Sequence, residues 1–395
     1  MKKFAVIALS LAMAVLLAPA GSATAASRST DHPQPTGLTL AVYGDAPYGT
    51  TPTDTAQLDA TPGFIASVNA DPDVSLVTQI GDIHSGKQFC TQAYDQSVYD
   101  LWTKFADPLV YTPGDNETTD CHKVAEGGGL YNPTTQTIDY VLDANGNPVD
   151  YAKGNPAANL ALIRSIFFAR PGLTLGAHKK LVLSQSFAYD RSHPSDRKFV
   201  ENVAWYQAGI VFVTINLPGG SNNDTDVWYG TPTESPAQTQ AREERTGADL
   251  RWLDTAFSLA KLSHAKGVVI GAQADMWDPE KGAAHQAGYE PFVASVASHT
   301  ASLGKPVLML NGDSHVYRSD NPLSSTASCT WELATACTSV AYIHPGYEVA
   351  NFHRIVVHGS TFPFEYLRVA INTRHPPAAG ANSFGPFSWE RIQPS

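Results

Sequence analysis

Apolar and polar positions alternate along the chain in blocks that predict strands separated by helices. Apolar runs at 38–45, 74–82 and 108–115 are separated by helical stretches at 53–70 and 92–105. Strands that alternate with helical segments are typical of βαβ units, whose strands are parallel. The first third of the chain is therefore predicted to contain a parallel sheet.

The same alternation continues in the second half of the chain. It predicts long helices at 238–262 and 284–302 and buried strands at 268–274 and 306–315. From residue 339 onward, apolar runs are joined by turns without helices, which favours an antiparallel sheet packed on the first. The predicted fold class is α/β, with two packed mixed β-sheets flanked by helices.

The chain has no linker, repeat or low-complexity tract that would divide it, so we predict one large domain over residues 38–372. Residues 122–154 are rich in Gly, Asn and Pro and are predicted to form a surface insertion. Residues 373–395 are predicted to be a C-terminal tail.

The first 25 residues have the form of a secretory signal peptide. Lys2 and Lys3 precede an apolar segment that ends in Ala23-Thr24-Ala25, an A-x-A cleavage site. No later stretch approaches the roughly 18 apolar residues of a membrane helix. We therefore expect a secreted or periplasmic protein without a membrane span.

The cysteines fit that compartment. The chain has 4 of them, an even number that predicts disulfides in an oxidising environment. The short separation of Cys329 and Cys337 favours Cys90–Cys121 and Cys329–Cys337 among the three possible pairings. A zinc site is the competing interpretation, but the sequence has no C-x-x-C pair.

The charge of the chain restricts its partners. The formal net charge is −11, and removal of Lys2 and Lys3 with the signal peptide makes it −13. Proteins that hold nucleic acid need clustered Lys and Arg, so no nucleic-acid-binding surface is expected. A small phosphoester at a metal site is compatible with this charge. The oligomeric state is left open.

Four apolar runs end in Gly-Asp, at Asp45, Asp82, Asp115 and Asp313. Ligands of open α/β sheets bind outside the carboxyl ends of the strands, where Gly permits a sharp turn. The four carboxylates are therefore expected to converge. Gathered carboxylates repel each other unless positive charge lies among them, and a pair of divalent cations is the usual solution. The pattern predicts a metal-dependent hydrolase.

The order of these motifs resembles the calcineurin-like metallophosphoesterases, in a secreted bacterial form with degenerate metal-ligand motifs. Asp45, then GDIHSG, PGDNE, the strand VVIGAQAD and finally NGDSH follow the family order D-x-H, G-D-x-x-D, G-N-H-D/E, a lone His and G-H-x-H. The resemblance spans residues 38–315, and its specificity lies in order and spacing. It implies a four-layer αββα sandwich and hydrolysis of phosphoesters at a two-metal centre.

Carried over residue by residue, the resemblance makes Asp45 the first metal ligand and Asp82 the carboxylate that bridges both metals. Asp115 or Asn116 matches the Asn ligand, depending on the register, and His315 matches the second His of the last motif. The implied metal ligands are Asp45, Asp82, Asp115, Asn116, Asp313 and His315.

Several family histidines are absent. Pro47 replaces the His of D-x-H, the His of G-N-H-D/E has no counterpart, and Asp313 replaces the first His of G-H-x-H. Gln273 lies near the position of the lone His, and we interpret it and Asp275 as structural. Oxygen donors suit Mg²⁺, Mn²⁺ or Ca²⁺ better than Zn²⁺ or Fe, so two hard divalent cations are predicted.

The lost histidines include the usual proton donor of the family. His84, two residues after Asp82, is predicted to replace it as general acid, with His122 the weaker candidate. His84 and Asn116 are the predicted catalytic residues. The purple acid phosphatase branch is disfavoured, because its Tyr ligand would fall at Ser85, and Tyr48 lies in a different motif.

The predicted function is a secreted metal-dependent phosphoesterase acting on a small phosphomonoester or phosphodiester. One alternative is a catalytically decayed binding or structural protein of the same fold. Another is a serine hydrolase using Ser314 of Gly-Asp-Ser, although esterases with that block carry it near the N-terminus. Retention of all four Gly-Asp turns favours a functioning site.

Overall fold

The computed structural model describes residues 37–222 and 226–394 of the 395-residue chain. The predicted signal peptide at 1–25 lies outside these residues. The strands, in chain order, are β1 (Leu38–Tyr43), β2 (Leu76–Ile80), β3 (Leu109–Thr112), β4 (Gly129–Asn132), β5 (Thr137–Tyr140), β6 (Leu183–Ser184), β7 (Val203–Gln207), β8 (Ile210–Thr214), β9 (Gly267–Gly271), β10 (Val307–Asn311), β11 (Arg318–Asp320), β12 (Thr330–Trp331), β13 (Phe352–Val356), β14 (Tyr366–Ile371), β15 (Ser383–Phe384) and β16 (Phe387–Ile392).

The helices connect these strands and cover the sheets. The α-helices are α1 (Ala56–Ala70), α2 (Gln92–Trp102), α3 (Pro156–Phe167), α4 (Gln185–Ala188), α5 (Gly219–Asn222), α6 (Pro236–Leu262), α7 (Ala283–Ala287) and α8 (Glu290–Leu303). Short 3₁₀ helices lie at Val124–Glu126, Tyr151–Gly154, Pro194–Lys198 and Trp228–Gly230. Within the described ranges, no helix is both long and apolar enough to cross a membrane.

The two long connecting helices α3 and α6 begin with the same local chemistry. The side chains of Asn155 and Ser235 accept hydrogen bonds from the backbone N–H groups of Ala158 and Gln238. A proline follows each cap at the first helical position, where its missing N–H costs nothing and its fixed φ suits the helix. These short signals explain where the two helices start.

Two large mixed sheets form the centre of the molecule. The first has the strand order β15-β16-β14-β1-β2-β3, and the second has the order β12-β11-β13-β10-β9-β8-β7-β6. In the first sheet β1, β2 and β3 are parallel, as predicted, whereas β14 and β16 are antiparallel. In the second sheet β13, β10, β9 and β8 are parallel to one another.

Three apolar clusters hold four layers together. One lies between the two sheets and contains side chains such as Leu40 and Leu308. A second packs α1, α2 and α3 on the outer face of the first sheet, with Trp102 at its centre. The third packs α6 and α8 on the outer face of the second sheet, around Trp252 and Phe292. The predicted α/β class with two mixed sheets flanked by helices is confirmed.

The prediction of a separate antiparallel sheet after residue 339 is wrong. β13 pairs in parallel with β10 inside the second sheet, and β14 joins the first sheet beside β1. Residues 339–346 contain turns but no strand. The connection from β10 to β13 runs through β11, β12 and turns instead of a helix, so the chain lacks the helical signal that normally marks a parallel crossover.

The segments predicted as tail and insertion also contribute ordered structure. β16 pairs with β14 from Tyr366↔Ile392 to Ile371↔Phe387, so the first sheet continues beyond the predicted boundary at residue 372. Residues 122–154 include the separate β4–β5 hairpin, whose side chains are largely accessible to solvent.

Both predicted disulfides are present. Cys90 and Cys121 have Cα atoms 5.8 Å apart, and those of Cys329 and Cys337 are 5.5 Å apart. The first disulfide joins the loop after β2 to the loop after β3. It therefore ties together two of the segments that carry Gly-Asp pairs.

Candidate metal centre

The four Gly-Asp pairs meet at the carboxyl ends of β1, β2, β3 and β10. We call Asp45, Asp82, Asp115 and Asp313 the Gly-Asp cluster. The backbone N–H of Asp313 donates to Asp45 Oδ1 at 3.0 Å, although the two residues belong to different sheets. All four carboxyl groups lie in buried or half-buried positions. The predicted convergence of the four carboxylates is present in the structure.

Left-handed backbone turns aim several of these side chains. The φ angles are 50° at Asp45, 58° at Asp82, 73° at Asp313 and 63° at His315. Residues other than glycine adopt this region uncommonly, and Asp, Asn and His tolerate it better than most. Backbone strain of this kind is concentrated at functional sites.

Asp82 is the centre of the hydrogen-bond network. Its Oδ2 accepts from the Tyr48 hydroxyl at 2.6 Å, from Asn116 Nδ2 at 2.9 Å and from Gln273 Nε2 at 3.2 Å. Gln273 Nε2 also lies 3.2 Å from Asp115 Oδ1. Three neutral donors therefore stabilise a carboxylate that has no cationic partner in the described chain.

Asp45, Asp82 and His315 form a group suited to holding a metal ion. One donor atom from each lies within 4.8 Å of the others. His315 Nε2 is 3.4 Å from Asp45 Oδ1 and 3.1 Å from the Tyr48 hydroxyl. Asp45 Oδ2 is buried and accepts no hydrogen bond from any residue that the structure describes.

Asp115 and Asp313 lie on either side of Gly219, the first residue of α5, at the end of the loop that follows β8. An alanine Cβ at Gly219 would overlap with Asp115 Oδ2 and Asp313 Oδ1. The loop reaches this position because the Gly219 N–H donates to Gln273 Oε1. Only a residue without a side chain fits between the two carboxylates.

Burial and mutual repulsion govern the electrostatics of the cluster. The pKa values of Asp45, Asp82 and Asp313 are raised well above the usual range, first by burial and then by neighbouring carboxylates such as Asp115. Partial burial lowers the pKa of His315, which favours its neutral imidazole. A neutral imidazole is the form that binds metal.

Glu117 holds the backbone turn next to the Gly-Asp cluster through hydrogen bonds. Its Oε1 accepts from the Tyr111 hydroxyl and from the Gly114 N–H, both at 2.6 Å. These bonds fix the turn that carries Asp115. The Glu117 pKa is raised, chiefly because the side chain is buried.

The donor set fits hard divalent cations. No lysine or arginine in the described part of the chain forms an ion pair with the Gly-Asp cluster. The buried, unpartnered Oδ2 of Asp45 is an oxygen that a bound cation would satisfy. Carboxylate oxygens together with one imidazole are donor types that bind divalent cations.

Asn116 and His84 do not face the Gly-Asp cluster in the way that their predicted roles require. Asn116 faces Asp82 and Tyr48 with Nδ2, whereas a metal ligand would present Oδ1. His84 is fully buried, and its Nδ1 lies 3.1 Å from the Ser85 carbonyl oxygen. His84 groups with Cys90 and Glu126 instead of the Gly-Asp cluster.

Sequence reasoning set Tyr48 aside as lying in a different motif and interpreted Gln273 as structural. Tyr48 follows Asp45 by three residues, and its hydroxyl reaches the Asp82 carboxylate. Gln273 is fully buried and links Asp82, Asp115 and Gly219. The useful signal for Gln273 was its position directly after a buried strand, the same position that the four Gly-Asp pairs occupy.

Comparisons with known proteins leave the family open. No protein-family model and no curated protein matches the chain. Among solved structures, the chain is similar to a purple acid phosphatase isolated from yellow lupin (Lupinus luteus) seeds, with 13% identity and a TM-score of 0.38. The match covers 85% of this chain and 50% of the lupin chain. At this TM-score the similarity carries no argument about function.

Proposed function

We propose that the protein hydrolyses a small phosphomonoester or phosphodiester at a site that holds two divalent cations. The observation that carries the proposal is the convergence of four buried or half-buried Gly-Asp carboxylates from two sheets, with no lysine or arginine of the described chain paired to them. The order of the sequence motifs supports the same function. Secretion is part of the proposal and rests on the sequence alone.

The proposed ligands divide into two overlapping groups. Asp45, Asp82 and His315 would hold one cation, and Asp115 and Asp313 together with Asp82 would hold the other. When bound, such cations neutralise charge on phosphoryl oxygens and acidify an attacking water. Phosphoryl transfer needs positioning and charge neutralisation more than covalent help, which agrees with a site made mainly of ligands.

The remaining residues would orient this ligand set. The Tyr48 hydroxyl and the Asn116 amide both donate to Asp82 Oδ2 and fix its rotamer. Asn116 is thus proposed as an orienting residue. The His315 side chain is 35% exposed and lies at the solvent side of the site, where a substrate would enter.

Proton donation by His84 stays a prediction that this geometry does not favour. The His84 side chain is 0% exposed, and burial lowers its pKa to about 4. A neutral imidazole is a very weak acid, and this one is enclosed away from the solvent-facing site.

The proposal is tested by initial rates of aryl phosphomonoester and phosphodiester hydrolysis with Mn²⁺, Mg²⁺, Ca²⁺ or Zn²⁺. We expect a metal-dependent rate that Asp82→Asn lowers by at least about 100-fold, a loss of transition-state stabilisation of about 2.7 kcal/mol. Asp100→Asn, an exposed change in α2, is the matched control and should leave the rate unchanged.

Two outcomes oppose the proposal. A folded protein without activity towards either ester, with any of the four metals, would favour the catalytically decayed binding or structural protein. Equal rates in Asp82→Asn and Asp100→Asn would show that the Gly-Asp cluster is not the catalytic site.

A further inference from the structure

A second group of metal-binding side chains lies outside the Gly-Asp cluster, against the Cys90–Cys121 disulfide. One donor atom each from His84, Cys90 and Glu126 lies within 4.8 Å of the others. Their exposed fractions are 0%, 2% and 1%. Imidazole, sulfur and carboxylate are the donor types of protein zinc sites.

The ring of His84 is held in the tautomer that a metal ligand needs. Its Nδ1 lies 3.1 Å from the backbone carbonyl oxygen of Ser85, which can only accept a hydrogen bond. Nδ1 therefore carries the proton, and Nε2 has a free lone pair. Metal-binding histidines are commonly fixed by such a bond from the other ring nitrogen to a carbonyl.

Two buried atoms of this group lack partners. His84 Nε2 and Glu126 Oε2 accept and donate no hydrogen bond among residues 37–222 and 226–394. Burial and the nearby Asp120 carboxylate raise the Glu126 pKa well above its usual range. Unsatisfied polar atoms in a native interior call for an explanation, such as an ion or water that completes the site.

The third donor depends on the state of the disulfide. Cys90 Sγ is bonded to Cys121 Sγ in the structure, and a disulfide sulfur is not the thiolate that binds zinc. We propose that His84, Cys90 and Glu126 bind one Zn²⁺ when the Cys90–Cys121 disulfide is reduced. The site is separate from the proposed phosphoesterase function and does not depend on it.

A dithiol can supply the electrons and protons that reduction of the Cys90–Cys121 disulfide requires. The Cys90–Cys121 bond accepts two electrons and two protons, and the dithiol is oxidised to its own disulfide. Zn²⁺ then replaces the proton on Cys90 Sγ, which is released to solvent, and accepts the Nε2 lone pair of His84. The protein therefore offers a nitrogen, a thiolate and a carboxylate donor.

The neighbouring group of Asp120, His122 and Asp226 does not offer the same chemistry. Lys123 pairs with both carboxylates and supplies the positive charge. His122 Nδ1 accepts from the Tyr229 N–H at 2.9 Å, so its other ring nitrogen carries the proton and cannot bind metal. The contrast singles out the group that contains His84.

A pair of serine variants tests the zinc site without a reductant. Cys121→Ser leaves Cys90 as a free thiol, and Cys90→Ser leaves Cys121 instead. Both variants lose the same disulfide, so each is the folding control of the other. Each is titrated with Co²⁺, whose thiolate-to-metal charge-transfer absorption reports a cysteine ligand and is absent from carboxylate sites.

We expect Co²⁺ to give this absorption in Cys121→Ser and not in Cys90→Ser, whether or not the Gly-Asp cluster also takes up Co²⁺. Zn²⁺ should displace the Co²⁺. Adding Glu126→Gln to Cys121→Ser should weaken Co²⁺ binding at least about tenfold. Loss of a residue that only hydrogen-bonds a metal ligand already lowers metal affinity by that factor, and Glu126 is a proposed ligand itself. No absorption in a folded Cys121→Ser protein, or equal absorption in both serine variants, would overturn the proposal.

A second measurement covers the case in which neither variant folds. The wild-type protein is reduced with a phosphine, and alkylation of each cysteine is followed by peptide mass analysis with and without Zn²⁺. Zinc should slow alkylation of Cys90 at least tenfold, while Cys329 and Cys337 serve as internal controls. Equal protection of all cysteines, or protection of none, contradicts the proposal.

Discussion

Two groups of carboxylates in this molecule have opposite electrostatic surroundings: one is paired with an arginine and the other has no cationic side chain beside it within the described part of the chain. We call Arg354, Asp275 and Asp320 the arginine cluster. In it, Arg354 donates to Asp320 through Nε and Nη2 at 2.9 Å each and also forms an ion pair with Asp275. In the Gly-Asp cluster, no arginine or lysine of the described chain plays that part. Both groups are buried at strand ends, so burial alone does not distinguish them.

The pKa values of Asp320 and Asp82 differ in direction, although burial leaves the pKa of Asp275 raised even beside Arg354. Burial raises the pKa of the Asp320 carboxyl, but Arg354 and Arg318 outweigh it and hold the pKa below the usual value. In the Gly-Asp cluster, burial raises the pKa of Asp82 and the neighbouring carboxylates raise it further. The fold therefore builds in a cation at one group and leaves the other dependent on a cation from outside.

The largest effect is expected when the built-in cation is removed. Arg354→Met leaves Asp275 and Asp320 buried without their common partner, which should cost about 3 to 5 kcal/mol of unfolding free energy. Urea unfolding measures the loss. Arg374→Met, at an exposed arginine, is the control, and an equal change in both variants would break the comparison.

The second-largest effect is expected on stability when a metal cation binds to the Gly-Asp cluster. Mn²⁺ at 100 times its dissociation constant should stabilise the wild-type protein by about 2.7 kcal/mol, because it binds only the folded state. Asp82→Asn should abolish this gain, and Asp100→Asn should keep it. Thermal unfolding with and without Mn²⁺ checks the prediction, and a similar gain in Asp82→Asn would place the cation elsewhere.

A change at Gly219 should weaken the same binding without removing a ligand. In Gly219→Ala the new Cβ overlaps with Asp115 Oδ2 and Asp313 Oδ1, so these carboxylates must move. We expect Mn²⁺ affinity to fall about tenfold, or about 1.4 kcal/mol, in calorimetric titration. Gly282→Ala, where a Cβ meets no atom within 4 Å, is the control.

The smallest effect is expected from pH in the metal-free protein. The Asp82 pKa is raised above its unfolded value of about 3.9, so the folded state keeps a proton that the unfolded state loses. Unfolding free energy should therefore fall as pH rises above about 4, by at most about 1.4 kcal/mol per pH unit for this carboxyl. Asp82→Asn should flatten the slope, and a rising slope in the wild type would contradict the charge argument.

Local sequence patterns predicted the parts of the fold that local chemistry determines. The parallel order of β1, β2 and β3 followed from alternation of strands and helices. The convergence of Asp45, Asp82 and Asp115 followed from their position after parallel strands of one sheet, which end at the same edge, whereas Asp313 joins them from the second sheet. Both disulfide pairings followed from spacing.

The remaining features depend on long-range packing. Tyr48 reaches Asp82 and His315 through a turn whose path no local pattern specifies. His84 lies two residues from Asp82 and still points into a different enclosed group. A sequence shows which side chains follow a strand, but the path of an irregular loop decides which of them face the same point.

The position of β14 between β1 and β16 has a consequence for synthesis. Residues near both ends of the chain pair in one sheet, with Leu38 opposite Ile371. During translation, the edge of β1 that pairs with β14 stays unpaired until Tyr366–Ile371 has been synthesised, and pairings this distant in sequence form slowly. A chain that stops before β14 therefore leaves this edge of β1 open to pairing with other molecules.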